Sequence, residues 1–182
     1  MEFFFNKLNI NGTLVGLEKG PTKADYYCTP LHSRVIGWNG PIHFCIIEGY
    51  NRVIFAVNPD NYGNHTVCPV ALNFSDFLRL LITLKNTLPI ALIVNFNTKK
   101  EFEEFLRNDE YCYVFPEQEK IIRQIKDGTD LEPMENPYEY VKGLQDNFDY
   151  NTLTFSDKYY EFLKIENPNK RRTAKKSLIL NK

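Results

Sequence analysis

Two short apolar runs and one amphipathic segment dominate the middle of the chain. The runs Ile42–Ile47 and Val53–Val57 are rich in β-branched and aromatic residues, and Gly49 and Asn51 lie between them. Gly and Asn are typical of turns, so the pattern predicts an antiparallel hairpin. Because neither face of the first run is polar, we expect that strand to lie centrally in a sheet with both faces covered.

The strongest helical pattern begins at Phe74 and ends near Lys85. Apolar residues stand at positions 74, 77, 78 and 81, which is the spacing of one helix face. Asn73 is a good N-cap, and the charge of Asp76 suits the first turn of a helix. We predict a helix that packs through one apolar stripe.

Further helices are predicted in the second half of the chain from caps and prolines. Thr98 precedes EFEEFL and Ser156 precedes DKYYEFLKI. Pro116 precedes EQEKIIRQIKD, and Gly128 predicts the end of that helix. The last of these helices, after Ser156, is expected to be short.

Three other segments have weaker patterns. The run Ile90–Val94 fits either a short helix or a buried strand. Residues 129–155 are rich in Pro, Asn, Asp and Tyr, which predicts mainly loop with one helical turn around Pro137–Gly143. Asn11-Gly12 predicts a hairpin turn between apolar clusters at residues 3–5 and 14–17.

Together the elements predict an α+β fold. We expect a mixed, largely antiparallel sheet from the N-terminal half, packed against helices mostly from the C-terminal half. The 182 residues, 43% of them hydrophobic, suffice for one domain with its own core. We place that domain at residues 1–166 and a basic, flexible tail at residues 167–182.

Charge is unevenly distributed along the chain, although the net charge is only −1. Residues 101–166 carry 17 acidic and 7 basic residues, a net of −10, whereas residues 167–182 carry 6 basic and no acidic ones. An acidic half favours a basic protein partner, with a plain solvated surface as the alternative. The candidate partner contacts on this basis are Glu103, Glu104, Asp109, Glu110, Glu117 and Glu119.

Trp38, the only tryptophan, is the remaining candidate partner contact. It lies in Gly37-Trp38-Asn39-Gly40, which predicts a tight turn before the strand at Ile42. Tryptophan is enriched at interface hot spots, but it also packs well against the end of a sheet. Packing is the favoured alternative.

Cysteine and histidine are the residues whose spacing could suggest metal binding or nucleophilic catalysis. The candidate pairs are Cys28 with His32, His43 with Cys45 and His65 with Cys68. The three spacings differ, no C-x2-C pair occurs, and no local signature activates a thiol. We therefore expect no metal, cofactor or catalytic residue. A small Cys/His-dependent hydrolase or zinc-binding protein is the alternative, and whether these side chains approach one another stays open.

Several other classes of function are disfavoured by missing motifs. Neither a P-loop nor a G-x-G-x-x-G sequence occurs. The basic tail has no interleaved aromatic residues, so no specific nucleic-acid binding is expected. The start MEFFFNKLNI lacks the features of a secretory signal, and no apolar run is long enough to span a bilayer. We expect a cytoplasmic protein without a membrane partner.

The order of motifs within residues 33–84 carries a family resemblance. The motifs are Gly37-Trp38-Asn39-Gly40, Ala56-Val57-Asn58-Pro59, Pro69-Val70-Ala71 and Asn73-Phe74-Ser75-Asp76-Phe77-Leu78-Arg79-Leu80-Leu81. This order, with the predicted strand pair, resembles the SUKH superfamily, which includes the fungal cell-wall-synthesis regulator and many bacterial immunity proteins. The resemblance implies a mixed sheet packed on helices and a non-enzymatic binding domain, with no catalytic residues to carry over. It predicts an immunity or regulatory protein that binds and neutralises a cognate toxin, a nuclease toxin among the candidates. A scaffolding role is a further alternative.

Overall fold

A computed structural model describes residues 10–61, 65–108 and 114–168 of the chain. The strands of this part are β1 (Ser33–Asn39), β2 (Ile42–Ile47), β3 (Ile54–Val57) and β4 (Val67–Ala71). Its α-helices are α1 (Phe74–Leu84), α2 (Thr87–Leu92), α3 (Lys99–Leu106), α4 (Pro116–Thr129), α5 (Pro137–Asp146) and α6 (Asp157–Leu163). Short 3-10 helices occupy Gly12–Val15, Ile93–Asn95 and Tyr150–Thr152. The predicted α+β class is confirmed.

The four strands form one sheet in the order β1-β2-β3-β4, and every pairing is antiparallel. The predicted hairpin is confirmed as β2 and β3. β2 lies between two strands, and five of its six residues are buried, as the absence of a polar face predicts.

Two strands have no counterpart among the sequence predictions. Gly37, Trp38 and Asn39 form the end of β1 instead of a tight turn, because they pair with β2 up to the partners Asn39 and Ile42. β4 contains Pro69, which usually interrupts a ladder. β4 is the last strand of the sheet, so one of its edges has no neighbouring strand and tolerates the missing donor.

Both faces of the sheet are buried against other parts of the chain. Phe44 and Ala56 belong to a cluster that includes residues of α1, α2, α4 and α5. Cys45 and Phe55, which alternate with them, belong to a second cluster built with residues that precede β1 and residues that follow α5. The sheet is therefore the middle of three layers.

Helix α1 is the centre of the helical layer. Asn73 caps it as predicted, since its Oδ1 accepts a 2.9 Å hydrogen bond from the Asp76 amide. The buried surface is wider than one stripe and also includes Leu80, Ile82 and Leu84. The reason is that β4, α2 and α4 all pack against this helix.

The later helices differ from the predictions at two points. α4 continues through Gly128 and ends after Thr129, where Asp130 adopts a left-handed conformation with φ of 54°. Residues 129–155 contain the ten-residue helix α5 instead of a single helical turn. Local signals for α5 are weak, because the Asn136 side chain makes no capping bond. Tyr138 and Val141 are buried, so packing on the rest of the fold accounts for this helix.

The predicted N-terminal hairpin is wrong where the structure describes it. Gly12–Val15 is a 3-10 helix, and the Asn11 side chain accepts a 3.2 Å hydrogen bond from the Thr13 amide. Residues 3–5, the expected partner strand, lie outside the described residues. Capping by Asn11 thus competes successfully with a turn.

Helix α2 resolves the ambiguity of residues 90–94 in favour of helix. Its first residue, Thr87, donates a hydrogen bond to the Gly16 carbonyl. The Asn39 amide donates to Asn86 Oδ1 at 3.2 Å and to Thr87 Oγ1 at 3.0 Å. This polar group joins the N-terminal segment, β1 and α2.

Among the described residues no single helix combines the length and apolarity that a membrane span needs. Phe74–Leu84 and Thr87–Asn95 are long and apolar enough only when the two are taken together, and a bend of 109° separates them.

We expect Gly20→Ala to destabilise the fold by about 1–3 kcal/mol. A Cβ at Gly20 would overlap the Trp38 indole, which a 3.0 Å hydrogen bond from Nε1 to the Pro21 carbonyl holds in place. Gly143→Ala in α5 is the matched control, because its Cβ would meet nothing within 4 Å. That control should stabilise the protein by about 1 kcal/mol through helix propensity. Urea unfolding followed by circular dichroism and Trp38 emission measures both, and equal stability would contradict the described packing of Trp38.

Candidate functional site

Trp38 packs within the chain. Residues before β1 form part of its surroundings, since the Glu18 amide donates to the Trp38 carbonyl at 2.7 Å and the Trp38 amide donates to the Glu18 carbonyl at 3.1 Å. Its ring centroid lies 5.0 Å from that of His43 and 6.0 Å from that of Tyr26. The half-buried indole therefore helps to cover the end of the sheet.

His43 is fully buried beneath Trp38 and Tyr26. Neither of its ring nitrogens has a hydrogen-bond partner in the described part of the chain. Burial penalises the charged imidazolium and lowers the pKa of His43 to about 4. This histidine is consequently neutral near pH 7.

The remaining cysteine and histidine candidates do not converge on a metal site. Nowhere in the described ranges do three His, Cys, Asp or Glu side chains lie close enough to hold an ion. Burial raises the pKa of Cys28 to about 11 and of Cys45 and Cys68 to about 12. These three thiols are therefore protonated near neutral pH, which makes them poor nucleophiles.

The acidic candidates of α3 and α4 lie on the surface among basic residues. Three of them have a basic side chain one helical turn away: Glu103 and Arg107 (3.8 Å), Glu104 and Lys100 (3.9 Å), and Glu119 and Arg123 (3.6 Å). Glu117 is exposed in the first turn of α4. Asp109 and Glu110 lie outside the described residues. Because α4 carries three acidic and three basic residues, this surface has little net charge.

The excess negative charge lies instead in residues 127–149, which we call the acidic segment. It runs from the end of α4 through α5 and carries seven acidic residues against one basic residue, Lys142. All seven are exposed: Asp127, Asp130, Glu132, Glu135, Glu139, Asp146 and Asp149. Within the described residues, salt bridges engage two of them, Glu132 with Lys126 and Glu139 with Lys99, each at 3.2 Å. A count of charge over a window of about 20 residues would have found this segment.

A cleft of about 160 Å³ adjoins the acidic segment along the chain. It is lined by Tyr27, Asn61, His65, Thr66, Val67, Tyr150, Leu153, Phe155, Tyr159 and Leu163, and we call it the aromatic cleft. His65 and Leu163 are exposed, so the cleft opens to solvent. The sequence signal for it is the density of aromatic residues at positions 148–162, where a loop up to residue 155 and a helix after Ser156 are predicted.

Stacked rings and occupied polar groups shape the aromatic cleft. The ring centroids of His65 and Tyr150 lie 3.5 Å apart, and those of Phe155 and Tyr159 lie 4.0 Å apart. The Tyr27 hydroxyl donates to the Pro59 carbonyl at 3.1 Å. The cleft thus offers ring surfaces, while the Tyr27 hydroxyl is already used within the chain.

Tyr150 and Asn61 are also engaged within the protein. Burial and a hydrogen bond with Cys68 raise the pKa of Tyr150. The Asn61 amide donates to the His65 carbonyl at 2.9 Å. The stacking of His65 on Tyr150 joins the β4 side of the cleft to the segment that follows α5.

Exposed apolar side chains surround the same region. Phe162, Leu163 and Ile165 are 50%, 41% and 53% exposed at the end of α6 and just beyond it. The Leu31 amide donates to the Thr154 carbonyl at 2.9 Å, and the Leu31 side chain is also exposed. Such a group of exposed apolar residues is typical of an interaction surface.

Comparisons of the chain with protein-family models, with curated proteins and with solved structures give no match.

We expect His43 to make the stability of the protein depend on pH. The unfolded imidazole titrates near pH 6.5 and the folded one near pH 4. Between these values the unfolded chain binds the extra proton, so stability is present above pH 6.5 and falls as the pH is lowered. The predicted loss at pH 4 is about 3 kcal/mol.

His43→Phe keeps an aromatic ring beside Trp38 and should remove this loss. His32→Asn, at an exposed position, is the control and should leave the loss of stability at low pH unchanged. Urea unfolding of each protein at a series of pH values measures the difference. If wild type and His43→Phe lose stability equally, buried neutral His43 is not the cause.

We expect Cys28, Cys45 and Cys68 to resist alkylation in the native protein at about pH 8, because the thiolate is the reactive form. All three should react once the protein is unfolded in urea. Iodoacetamide labelling with peptide mass mapping reads each site separately from Cys112, which lies outside the described residues. Rapid native labelling of any of the three would contradict their burial and support the thiol-dependent alternative.

Proposed function

We propose that this chain is a non-enzymatic, cytoplasmic protein-binding domain that neutralises or regulates a basic protein. An immunity protein bound to its cognate toxin is the clearest example of such a function. The observation that carries the proposal is the acidic segment: seven exposed carboxylates against one lysine in residues 127–149.

The concentration of this charge suits recognition of a protein. Complementary fields accelerate encounter and disfavour partners of like charge. The carboxylates of α3 and α4 are less suited to this role, because neighbouring basic residues balance them. The acidic segment keeps an unbalanced field, which supports it as the contact surface.

A nuclease toxin is one partner with suitable chemistry. Proteins that bind nucleic acid contact phosphates through lysine and arginine, so their binding surfaces are basic. A row of exposed carboxylates could cover such a surface and exclude the nucleic acid. The chain would then inhibit by occlusion and need no catalytic group of its own.

The family resemblance supports the same class of function. The motifs that resemble the SUKH superfamily lie in β1, at the end of β3, in β4 and in α1. They therefore belong to the sheet and to the helix that packs on it. These elements serve as the scaffold, and the proposed contact surface lies outside them.

We expect the double variant Glu135→Lys and Asp146→Lys to bind the partner at least about tenfold more weakly at low salt, where the Debye length is about 30 Å. Both residues are exposed, so the changes should leave the fold intact. Affinity capture from the source cells identifies candidate basic proteins, and titration of the purified candidate gives the dissociation constant.

The matched control is Glu104→Lys with Glu117→Lys, which makes the same charge change on α3 and α4. It should weaken binding less than the first variant. A partner whose affinity is insensitive to salt and to both variants would contradict electrostatic recognition. If only the control variant lost affinity for the partner, the contact surface would instead lie on α3 and α4.

A further inference from the structure

We propose that the aromatic cleft receives one apolar side chain, phenylalanine or leucine, from a lysine- or arginine-rich segment of the partner. This inference rests on the proposed function and specifies the anchor of that interaction. The acidic segment attracts the basic residues, and the cleft holds the side chain that stands among them.

The volume of the cleft decides the size of the occupant. Its volume of about 160 Å³ is close to the ~150 Å³ of an engineered apolar cavity that holds one benzene ring. Pockets for metabolites and cofactors are larger, roughly 300–1,000 Å³. A single ring or branched aliphatic group fits, whereas a nucleotide or cofactor does not.

The chemistry of the cleft decides the polarity of the occupant. Tyr150, Phe155 and Tyr159 present ring surfaces, and Val67 and Leu163 add aliphatic ones. Asn61, His65 and Thr66 add polar groups to the lining. The Tyr27 hydroxyl donates to the Pro59 carbonyl and the Asn61 amide to the His65 carbonyl. An apolar side chain gains contact with the rings and leaves both of these hydrogen bonds in place.

The surroundings of the cleft indicate the charge of the flanking residues. Within two residues of its lining along the chain, five carboxylates outnumber two lysines: Asp25, Asp60, Asp149, Asp157 and Glu161 against Lys158 and Lys164. Lys158 is paired with Asp25 at 2.9 Å. Asp149 also belongs to the acidic segment and directly precedes Tyr150. The negative field is therefore continuous with the cleft, and a basic peptide complements it.

The exposed apolar residues beside the cleft fit the rim of such a site. Leu163 lines the cleft and is 41% exposed, and Phe162 and Ile165 flank it at 50% and 53% exposure. An anchor side chain in the cleft would bring the partner's main chain over these residues. Their burial would exclude water around the anchor, as in interface hot spots.

The test uses the full chain and two acetylated, amidated heptapeptides as probes. One has a central phenylalanine with three lysines on each side, and the other has alanine in its place. Isothermal titration at about 0.1 M salt gives both dissociation constants. We expect the phenylalanine probe to bind at least about tenfold more tightly, because its ring is removed from water.

Leu163→Glu separates the apolar contribution from charge. The new carboxylate should attract lysine, yet the variant loses the apolar edge of the cleft. We expect at least about tenfold weaker binding of the phenylalanine probe despite the added negative charge. Leu14→Glu is the matched control, because Leu14 has 40% exposure against 41% for Leu163 and does not line the cleft. It should bind the probe at least as well as the wild type.

Each contrary outcome has a distinct meaning. Equal affinity for the two probes would overturn the anchor site and leave the proposed electrostatic function standing. No binding of either probe at about 0.1 M salt would also overturn the anchor site, while the charge-reversal variants of the acidic segment test the proposed function separately. A synthetic peptide of residues 169–182 is a further probe. If it bound more tightly than the phenylalanine probe, the cleft would belong to the chain's own segment, and the proposal of a partner side chain in the cleft would be overturned.

Discussion

The fold depends on the burial of both faces of a small antiparallel sheet. In β2 and β3 nearly every side chain is apolar and nine of ten residues are buried, so neither face can be left to water. Helices cover one face, where Phe44 meets Phe77 with ring centroids 5.2 Å apart. The rest of the chain has to supply the second cover, and this requirement explains why the segments before β1 and after α5 pack on the same face.

The second cover differs from the first in its chemistry. The helical layer buries mainly aliphatic side chains of α1, α2 and α4, whereas the other layer is built from tyrosine, phenylalanine and histidine rings. Rings in short irregular segments meet in pairs, such as Tyr27 with Phe162 at 3.8 Å, and rigid pairs do not fill every gap between segments. The aromatic cleft is one such gap. Burial of the sheet and formation of the aromatic cleft thus have the same structural cause.

Charge, like side-chain chemistry, differs between parts of the surface. On α3 and α4 acidic and basic residues are spaced one turn apart, so each exposed pair contributes little to stability or to a long-range field. The acidic segment lacks this balance, and it leads directly into the aromatic cleft at Tyr150. Long-range attraction mainly sets the rate of encounter, while a buried apolar anchor mainly sets the lifetime of a complex. In the proposed complex the acidic segment would supply the first property and the aromatic cleft the second.

Local patterns were sufficient for the hairpin β2–β3, for α1 with its Asn73 cap, and for α3 with its Thr98 cap, because periodicity and capping act between residues near in sequence. They failed for β4, whose Pro69 is tolerated only on an edge strand. They gave only one helical turn around Pro137–Gly143, where packing of Tyr138 and Val141 accompanies the ten-residue helix α5. The aromatic cleft could not be read in this way. Its rings come from positions as far apart as Tyr27 and Tyr159, and only the packing of both chain segments on one face of the sheet brings them together.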